Sequence, residues 1–322
     1  MRILVTGSAG FVGYHLCRRL LDDGHSVHGV DSLVPYYDVA LKHARHARLE
    51  GPGFTAHIQD VADMPAMAAV LAAAQPDMVV HLAAQAGVRY ALDHPEAYVS
   101  ANMVGTFNLL ELVRQAPVRH FLMASTSSAY GASTAMPFRE TDAADTPLNI
   151  YAASKRSAEL MGHCYAHLWR QPVTAFRFFT VYGPWGRPDM ALFKFTAAAL
   201  RGEAIELYGE GEMARDFTYI DDLVEAITRL MDVPPPDAGV APFRVVNIGR
   251  GAPVGLLEFV AEIERAVGRP IRRDLRPIQP GEVPRTWSDS SLLESLTGFR
   301  PSTPVSVGVP RFVAWFREHY GV

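Results

Sequence analysis

Residues 2–13 read Arg2-Ile3-Leu4-Val5-Thr6-Gly7-Ser8-Ala9-Gly10-Phe11-Val12-Gly13, and their order decides the fold. Ile3-Leu4-Val5 is apolar without alternation, which predicts a parallel strand covered on both faces. Three glycines follow at once, and they open an amphipathic helical pattern that runs on to Asp23. A strand, a glycine loop and a helix in this order let backbone approach a diphosphate, whose charge then meets unpaired N–H groups at the helix N-terminus. The spacing is GxxGxxG rather than GxGxxG, so the loop is slightly longer than in the usual dinucleotide fingerprint.

Working outward, β-rich runs at 26–30, 54–58, 78–82, 121–125 and 173–179 alternate with helical patterns, as in a Rossmann-type doubly wound α/β sheet. After Thr180 the pattern changes to Gly/Pro-rich connections, short strands at 205–208 and 244–247, and helices near 221–231, 255–267 and 307–319. This reads as a nucleotide-binding domain over 1–179 and a smaller C-terminal α/β lobe over 180–322, with an interleaved boundary. At 322 residues, 49% hydrophobic and 20% charged, the chain is neither disordered nor fibrous. A net charge of -4 argues against a nucleic-acid or anionic-membrane partner, and the longest apolar stretch, 66–74, is too short to span a bilayer. Two cysteines, Cys17 and Cys164, exclude a disulfide scaffold and a four-cysteine zinc site. With no secretory apolar segment ahead of the glycine loop, a reducing cytoplasm is the expected compartment.

Asp31 ends the second β-rich run, 18 residues after Gly13. A carboxylate there accepts hydrogen bonds from adenosine ribose hydroxyls and repels a 2′-phosphate, and with no cation expected beside it the cofactor is NAD rather than NADP. Asp60, closing the third run, is placed to meet the adenine. Tyr151 and Lys155 stand four apart on a helical pattern, so one face carries both, and the ammonium can stabilise a phenolate whose ordinary pKa is near ~10. Ser125-Thr126-Ser127-Ser128 closes the fifth run at the carboxyl edge of the sheet, where ligands of open α/β sheets bind. His163 and His167 lack the intervening glutamate of a HExxH site, so no metal is expected. The basic cluster Lys42, His43, Arg45, His46 and Arg48 reads as a solvated helix face. Asn102, in a helical stretch, reads equally as a support of the proton path or of nearby backbone.

These segments together, GSAGFVG, Asp31, HLAAQAGV (81–88), TSSAYG (126–131) and YAASK (151–155), resemble the extended short-chain dehydrogenase/reductase family of NAD-dependent epimerases and dehydratases. VRYAL (88–92), RFFTVYGPWGRPDMALFKFT (177–196), ARDFTYIDD (214–222) and QPGEVPRTWSD (279–289) are similar to the UDP-glucuronate 4-epimerases within it. The resemblance implies a catalytic triad of Thr126, Tyr151 and Lys155. It implies NAD contacts from Gly7, Gly10, Phe11, Val12, Gly13, Asp31, Asp60, Val61, Leu82, Ala83, Ala84, Tyr151 and Lys155. For a UDP-sugar substrate it implies Arg89, Thr126, Ser127, Ser128, Thr180, Arg187, Lys194, Tyr208, Arg215 and Arg285. Ala129 departs from the commoner valine. Relatives that dehydrate place Asp-Glu directly after the threonine, and uronate decarboxylases place a glutamate second; here both places are serine, which leaves oxidation and re-reduction at C4. The hydroxyls with Arg187 are candidates to clamp a sugar carboxylate, unless Arg187 pairs with Asp189. The resemblance further implies a homodimer through helices around 102–115 and 151–169. A UDP-glucose or UDP-N-acetylhexosamine 4-epimerase, or a non-catalytic NAD-binding sensor, are the alternatives.

Overall fold

The computed structural model describes residues 1–278 and 283–322, so the first four residues of the string at 279–289 lie outside the described residues. Six strands open the chain: β1 Arg2–Thr6, β2 Ser26–Asp31, β3 Phe54–Ile58, β4 Met78–His81, β5 His120–Thr126 and β6 Val173–Phe178. Seven follow: β7 Thr180–Tyr182, β8 Ile205–Tyr208, β9 Ala214–Tyr219, β10 Phe243–Ile248, β11 Pro253–Gly255, β12 Arg273–Arg276 and β13 Arg285–Thr286. Two compact units form, one from residues 1–134, 140–178 and 227–247, the other from 135–139, 179–226 and 248–322.

The first unit is built on a seven-stranded sheet of order β10-β6-β5-β4-β1-β2-β3. Its ladders are parallel from β6 to β3, with Val5 opposite Gly29 on one side and Val80 on the other. The order reverses between β1 and β4, the switch point where doubly wound sheets open a crevice at their carboxyl ends. Ile3, Leu4, Val5, Val79, Val80, Phe121 and Leu122 are all fully buried, as their unalternating runs require. Helices Met64–Ala74, Gly105–Gln115 and Ile150–Trp169 supply Met67, Val70, Leu109, Val113, Ala158 and Ala166 to the core they share with Leu4, Val79, Phe121 and Val173. Each fully buried branched or aromatic side chain contributes about 1.5–3 kcal/mol.

One expectation is corrected. The run at 244–247, read as part of the C-terminal lobe, is β10 and pairs with β6 at the edge of the large sheet. Val173 N–H donates to Pro242 O at 2.9 Å where the two strands begin. Apolar patterning identifies a strand but carries no information about its ladder partner, and Val246 and Ile248 would bury equally well in either sheet.

In the second unit β9 pairs with β7 and β13 in parallel and with β11 antiparallel, while β8 and β12 form a two-stranded parallel ribbon. Its core is aromatic: Phe217 stacks on Phe259 at 4.0 Å, and the helix Val305–Tyr320 packs Phe312 and Phe316 against Phe193. Trp185, at φ 60°, packs against the stacked pair Trp315 and His319.

Candidate active site

The glycine loop is shaped by backbone packed on backbone. A Cβ at Gly13 would lie 2.0 Å from Gly7 O, one at Gly10 would lie 2.9 Å from the same oxygen, and one at Gly7 would lie 2.8 Å from Ala83 N. Gly7 also sits at φ +75°, a conformation L side chains rarely adopt. The loop is anchored where Gly7 N–H and Ser8 N–H both donate to Val30 O. The helix Phe11–Asp22 begins at Gly10 with no side-chain cap, which leaves the N–H groups of its first turn for an outside acceptor. Phe11 and Gly13 face inward and Val12 is half-buried, while Leu82, Ala83 and Ala84 lead out of β4 beside Gly7. Asp60 is exposed and accepts from Ala62 N–H, and Val61 O and Ala62 O accept from buried Asn108. This cradle, with a carboxylate closing β2, fits a dinucleotide.

Asp31 is nearly buried, and its oxygens take Ala9 N–H at 3.0 Å and Leu33 N–H at 2.8 Å. The expectation that no cation stands nearby is corrected, because Lys42 Nζ lies 4.0 Å from Asp31 Oδ1 while donating to Val34 O. The solvated reading of the basic cluster is corrected with it. Lys42, Arg45 and His46 form the inward face of the helix Val39–Ala47; Arg45 is wholly buried and donates to Ala9 O and Tyr37 OH, and His46 Nε2 meets Ser8 Oγ at 2.9 Å. His43 and Arg48 are exposed as expected. The physical reason is that the glycine loop offers carbonyls and a hydroxyl that only polar side chains satisfy. Positions three and four apart, Lys42 with Arg45 and His46, were the available signal.

The helix Ile150–Trp169 is capped by Asn149, whose Oδ1 accepts Ala152 N–H at 2.8 Å. Tyr151 therefore lies in the first turn, where the helix dipole favours a phenolate. Its ring meets Tyr98 edge-on at 6.0 Å. Lys155 is fully buried one turn on, and burial pushes its ammonium down to about 8 against the opposing charge of Glu159. Thr126 ends β5 nearly buried, and its Oγ1 accepts Ser128 N–H, which turns the chain into a short 3-10 segment with Ser127 and Ser128 half-exposed. Asn102 is fully buried and donates to Ser154 Oγ and Gln85 O, so it ties the backbone at Gln85 to the helix Ile150–Trp169.

Beneath these groups lies a cluster that sequence reasoning missed. Glu159 accepts Ser125 Oγ–H at 2.5 Å, Arg177 through Nε at 2.9 Å and Nη2 at 2.7 Å, and Arg156 Nη1 at 2.9 Å. Arg177 in turn lies over the Tyr130 ring at 4.4 Å. The signal was Glu159 standing four residues after Lys155.

In the second unit the β9–β13 register sets Arg215 opposite Thr286 and Arg285 opposite Ala214, so both arginines occupy one strand pair. Arg215 donates to Ala214 O and Pro284 O, and Arg285 is exposed. Thr180 begins β7, Lys194 is exposed on the helix Ala191–Arg201, and Tyr208 OH donates to Glu206. Arg187 is held by Asp189 through Nε at 3.0 Å and Nη2 at 2.6 Å, the pairing weighed against the clamp. Arg89, in the first unit, is exposed at the start of a short helix, Tyr90–Asp93. His163 and His167 stack with centroids 6.4 Å apart.

A family model described as the NAD dependent epimerase/dehydratase family matches residues 3–249. A probable UDP-glucuronate 4-epimerase of Rhizobium meliloti (strain 1021) is 54% identical over 99% of this chain and 98% of that protein. Among solved structures, the UDP-glucuronic acid 4-epimerase of Bacillus cereus, in complex with UDP-glucuronic acid and NAD, superposes with a TM-score of 0.91 at 31% identity, covering 99% of this chain and 100% of that one. A UDP-glucose 4-epimerase of Thermotoga maritima, solved with UDP-glucose, gives 0.89 at 28% identity over 99% and 100%. With the glycine cradle, the Tyr151–Lys155 helix and the hydroxyl-bearing end of β5 already in place, the chain belongs to the NAD dependent epimerase/dehydratase family.

Proposed function

We infer that this chain catalyses the NAD-dependent epimerisation of UDP-glucuronate to UDP-galacturonate at C4, through a 4-keto sugar. The observation that carries the reading is the buried Lys155 one turn from Tyr151 on a capped helix, with no carboxylate at Ser127 or Ser128. NAD, when bound, supplies the acceptor and later the donor of the C4 hydrogen. Gly7, Gly10 and the first turn at Phe11, Val12 and Gly13 would hold its diphosphate, and Asp31 its ribose. Tyr151 removes the proton of the C4 hydroxyl and later returns one to the C4 oxygen. Lys155 holds the phenolate, and Thr126 shares the same oxygen. Dehydration would need an acid or base near C5, and serines at 127 and 128 supply neither at neutral pH.

In the second unit Arg215 and Arg285, with Lys194 and Tyr208, carry the groups that a UDP diphosphate calls for, and Thr180 offers a hydroxyl to a sugar; in the first unit Arg89, Ser127 and Ser128 are the candidates of matching chemistry. Arg187 is already matched by Asp189, so a neutral sugar does not strand an unpaired guanidinium. Its discrimination is correspondingly modest. UDP-glucuronate is expected to be favoured over UDP-glucose by about tenfold in kcat/KM, about 1.4 kcal/mol, and Arg187→Ala to erode that ratio. A panel of UDP-sugars checks this. Equal efficiency on the two sugars removes the uronate preference, and carbon dioxide with a UDP-pentose as main product overturns the epimerase reading.

The partner in assembly is a second copy of this chain. Helices Gly105–Gln115 and Ile150–Trp169 leave Phe107 and Leu160 about half exposed, as an association surface would. Sedimentation of the purified protein is expected to give a dimer, and a monomer at micromolar concentration refutes it. Its place of work is the cytoplasm, where the two free cysteines stay reduced.

A further inference from the structure

At the switch point between β1 and β4 a buried line of hydrogen bonds runs through His81, a residue for which the reaction has no use. It starts at Ala83 N–H, which donates to Thr6 Oγ1 at 3.1 Å. Thr6 Oγ1 lies 2.7 Å from His81 Nδ1, and His81 Nε2 lies 3.0 Å from Thr106 Oγ1. The line ends where Thr106 Oγ1 donates to Asn102 O at 2.6 Å. A carbonyl can only accept, so the Asn102 end fixes the proton of Thr106, and with a neutral ring this sets each proton back to Thr6. Thr106 spends its one proton on Asn102 O, hence Nε2–H must donate to Thr106. A neutral imidazole has a single N–H, hence Nδ1 accepts from Thr6. The ring is 1% exposed, and burial together with the nearby Lys155 ammonium drives its pKa down to about 3.

From the Asn102 side chain a second set of hydrogen bonds begins. Asn102 belongs to a π-helical turn, Val99–Val104, whose wide ring is closed by Gly105 N–H donating to Ser100 O. Its side chain accepts Gln85 N–H at 2.8 Å, donates to Gln85 O at 3.0 Å and donates to Ser154 Oγ at 2.9 Å. Ser154 Oγ then donates to Tyr151 O at 2.8 Å. The segment after β4 is thus held at Ala83, at Gln85 and, through Tyr98 OH, at Gly87 O. This is the segment against which Gly7 packs.

We propose that His81 is a positioning residue, whose neutral ring with its proton on Nε2 locks the segment after β4 and the π-helical turn to the end of β1, and through Asn102 sets the first turn carrying Tyr151. An aliphatic side chain would fill the same volume but fix no distances between these four elements. Such registration matters because a displacement of about 1 Å at a reacting group costs on the order of 10²-fold in rate. The inference rests on Tyr151 and Lys155 as the reacting pair, while its central observable, the state of the ring, does not.

The test uses Thr106, which touches neither reactant. In the wild-type protein, NMR of labelled histidine is expected to show His81 as the Nε2–H tautomer, without titration between about pH 5 and 8. Thr106→Val leaves Nε2–H without an acceptor. It is expected to lower kcat by about ten- to a hundredfold and to weaken NAD affinity, read from the dependence of Tm on added NAD, with the KM for the nucleotide sugar unchanged. Thr106→Ser restores all three. A proton on Nδ1, or a titrating ring, overturns the fixed polarity. A Thr106→Val protein with lowered Tm but wild-type kcat and NAD affinity overturns the positioning role. Should the wild-type chain epimerise no UDP-sugar, the epimerase reading fails, and the ring state and NAD affinity still decide this inference.

Discussion

Tyr151→Phe is expected to lower turnover by about 10²–10⁴-fold or more, since proton transfer alone contributes that much and the proposed mechanism has this side chain transfer a proton in both half-reactions. The loss is confined to chemistry. Phenylalanine keeps the edge-on contact with Tyr98 and leaves the Asn149 cap, which bonds the backbone of Ala152, undisturbed. Tm and NAD binding are therefore expected to stay near wild type. Steady-state rates and thermal melts on the same preparation check both halves. A near-normal rate would move the base to Thr126.

Glu159→Gln is expected to cost about 3–5 kcal/mol of stability, because it strips the charge from a fully buried carboxylate that matches the equally buried Arg177. Burial by itself would raise the Glu159 carboxyl, but the hydrogen bonds and charge of Arg177, with Ser125 and Arg156, outweigh it and hold the carboxyl below its ordinary range. A group whose folded pKa lies below its unfolded one contributes stability that is complete above the ordinary carboxylate value, near ~4.3, and is lost as pH falls through the folded value. The gap between wild type and variant in denaturant midpoint is thus expected to be largest at neutral pH and to close in acid. A gap that does not change with pH would refute the ionised assignment. Glu159 also opposes the burial that depresses Lys155, so the variant is expected to move the alkaline side of the pH–rate profile to lower pH.

How much of this was legible in the residues follows from the range of each interaction. Strands β1, β4, β5 and β6 were readable because each is a run buried on both faces, a property of the run itself, whereas β3, at the edge of the sheet with no buried residue, was readable only from its β-rich composition. Strands β11 and β13, of three and two residues, are too short to show any period, and β10 was visible as a strand but not as a neighbour of β6. Tyr151 and Lys155 were legible because their relation is a local spacing of four. Glu159 stands four further along, yet a charged side chain on a helix reads as solvated until Arg177 arrives from β6, 18 residues away. Arg45 was misread for the same reason: its acceptor, Ala9 O, is 36 residues distant.

The double duty of Asp31 bears on any attempt to convert this protein to the phosphorylated cofactor. Exchanging the carboxylate for a neutral or cationic side chain, the obvious route to tolerance of a 2′-phosphate, would also release Ala9 N–H and Leu33 N–H and remove the anion 4.0 Å from Lys42 Nζ. The glycine loop would lose one of its anchors together with the carboxylate proposed to discriminate between the two nucleotides. The proposed basis of cofactor choice and the loop geometry share the same two oxygen atoms, so a successful redesign has to rebuild the Val39–Ala47 helix face along with position 31.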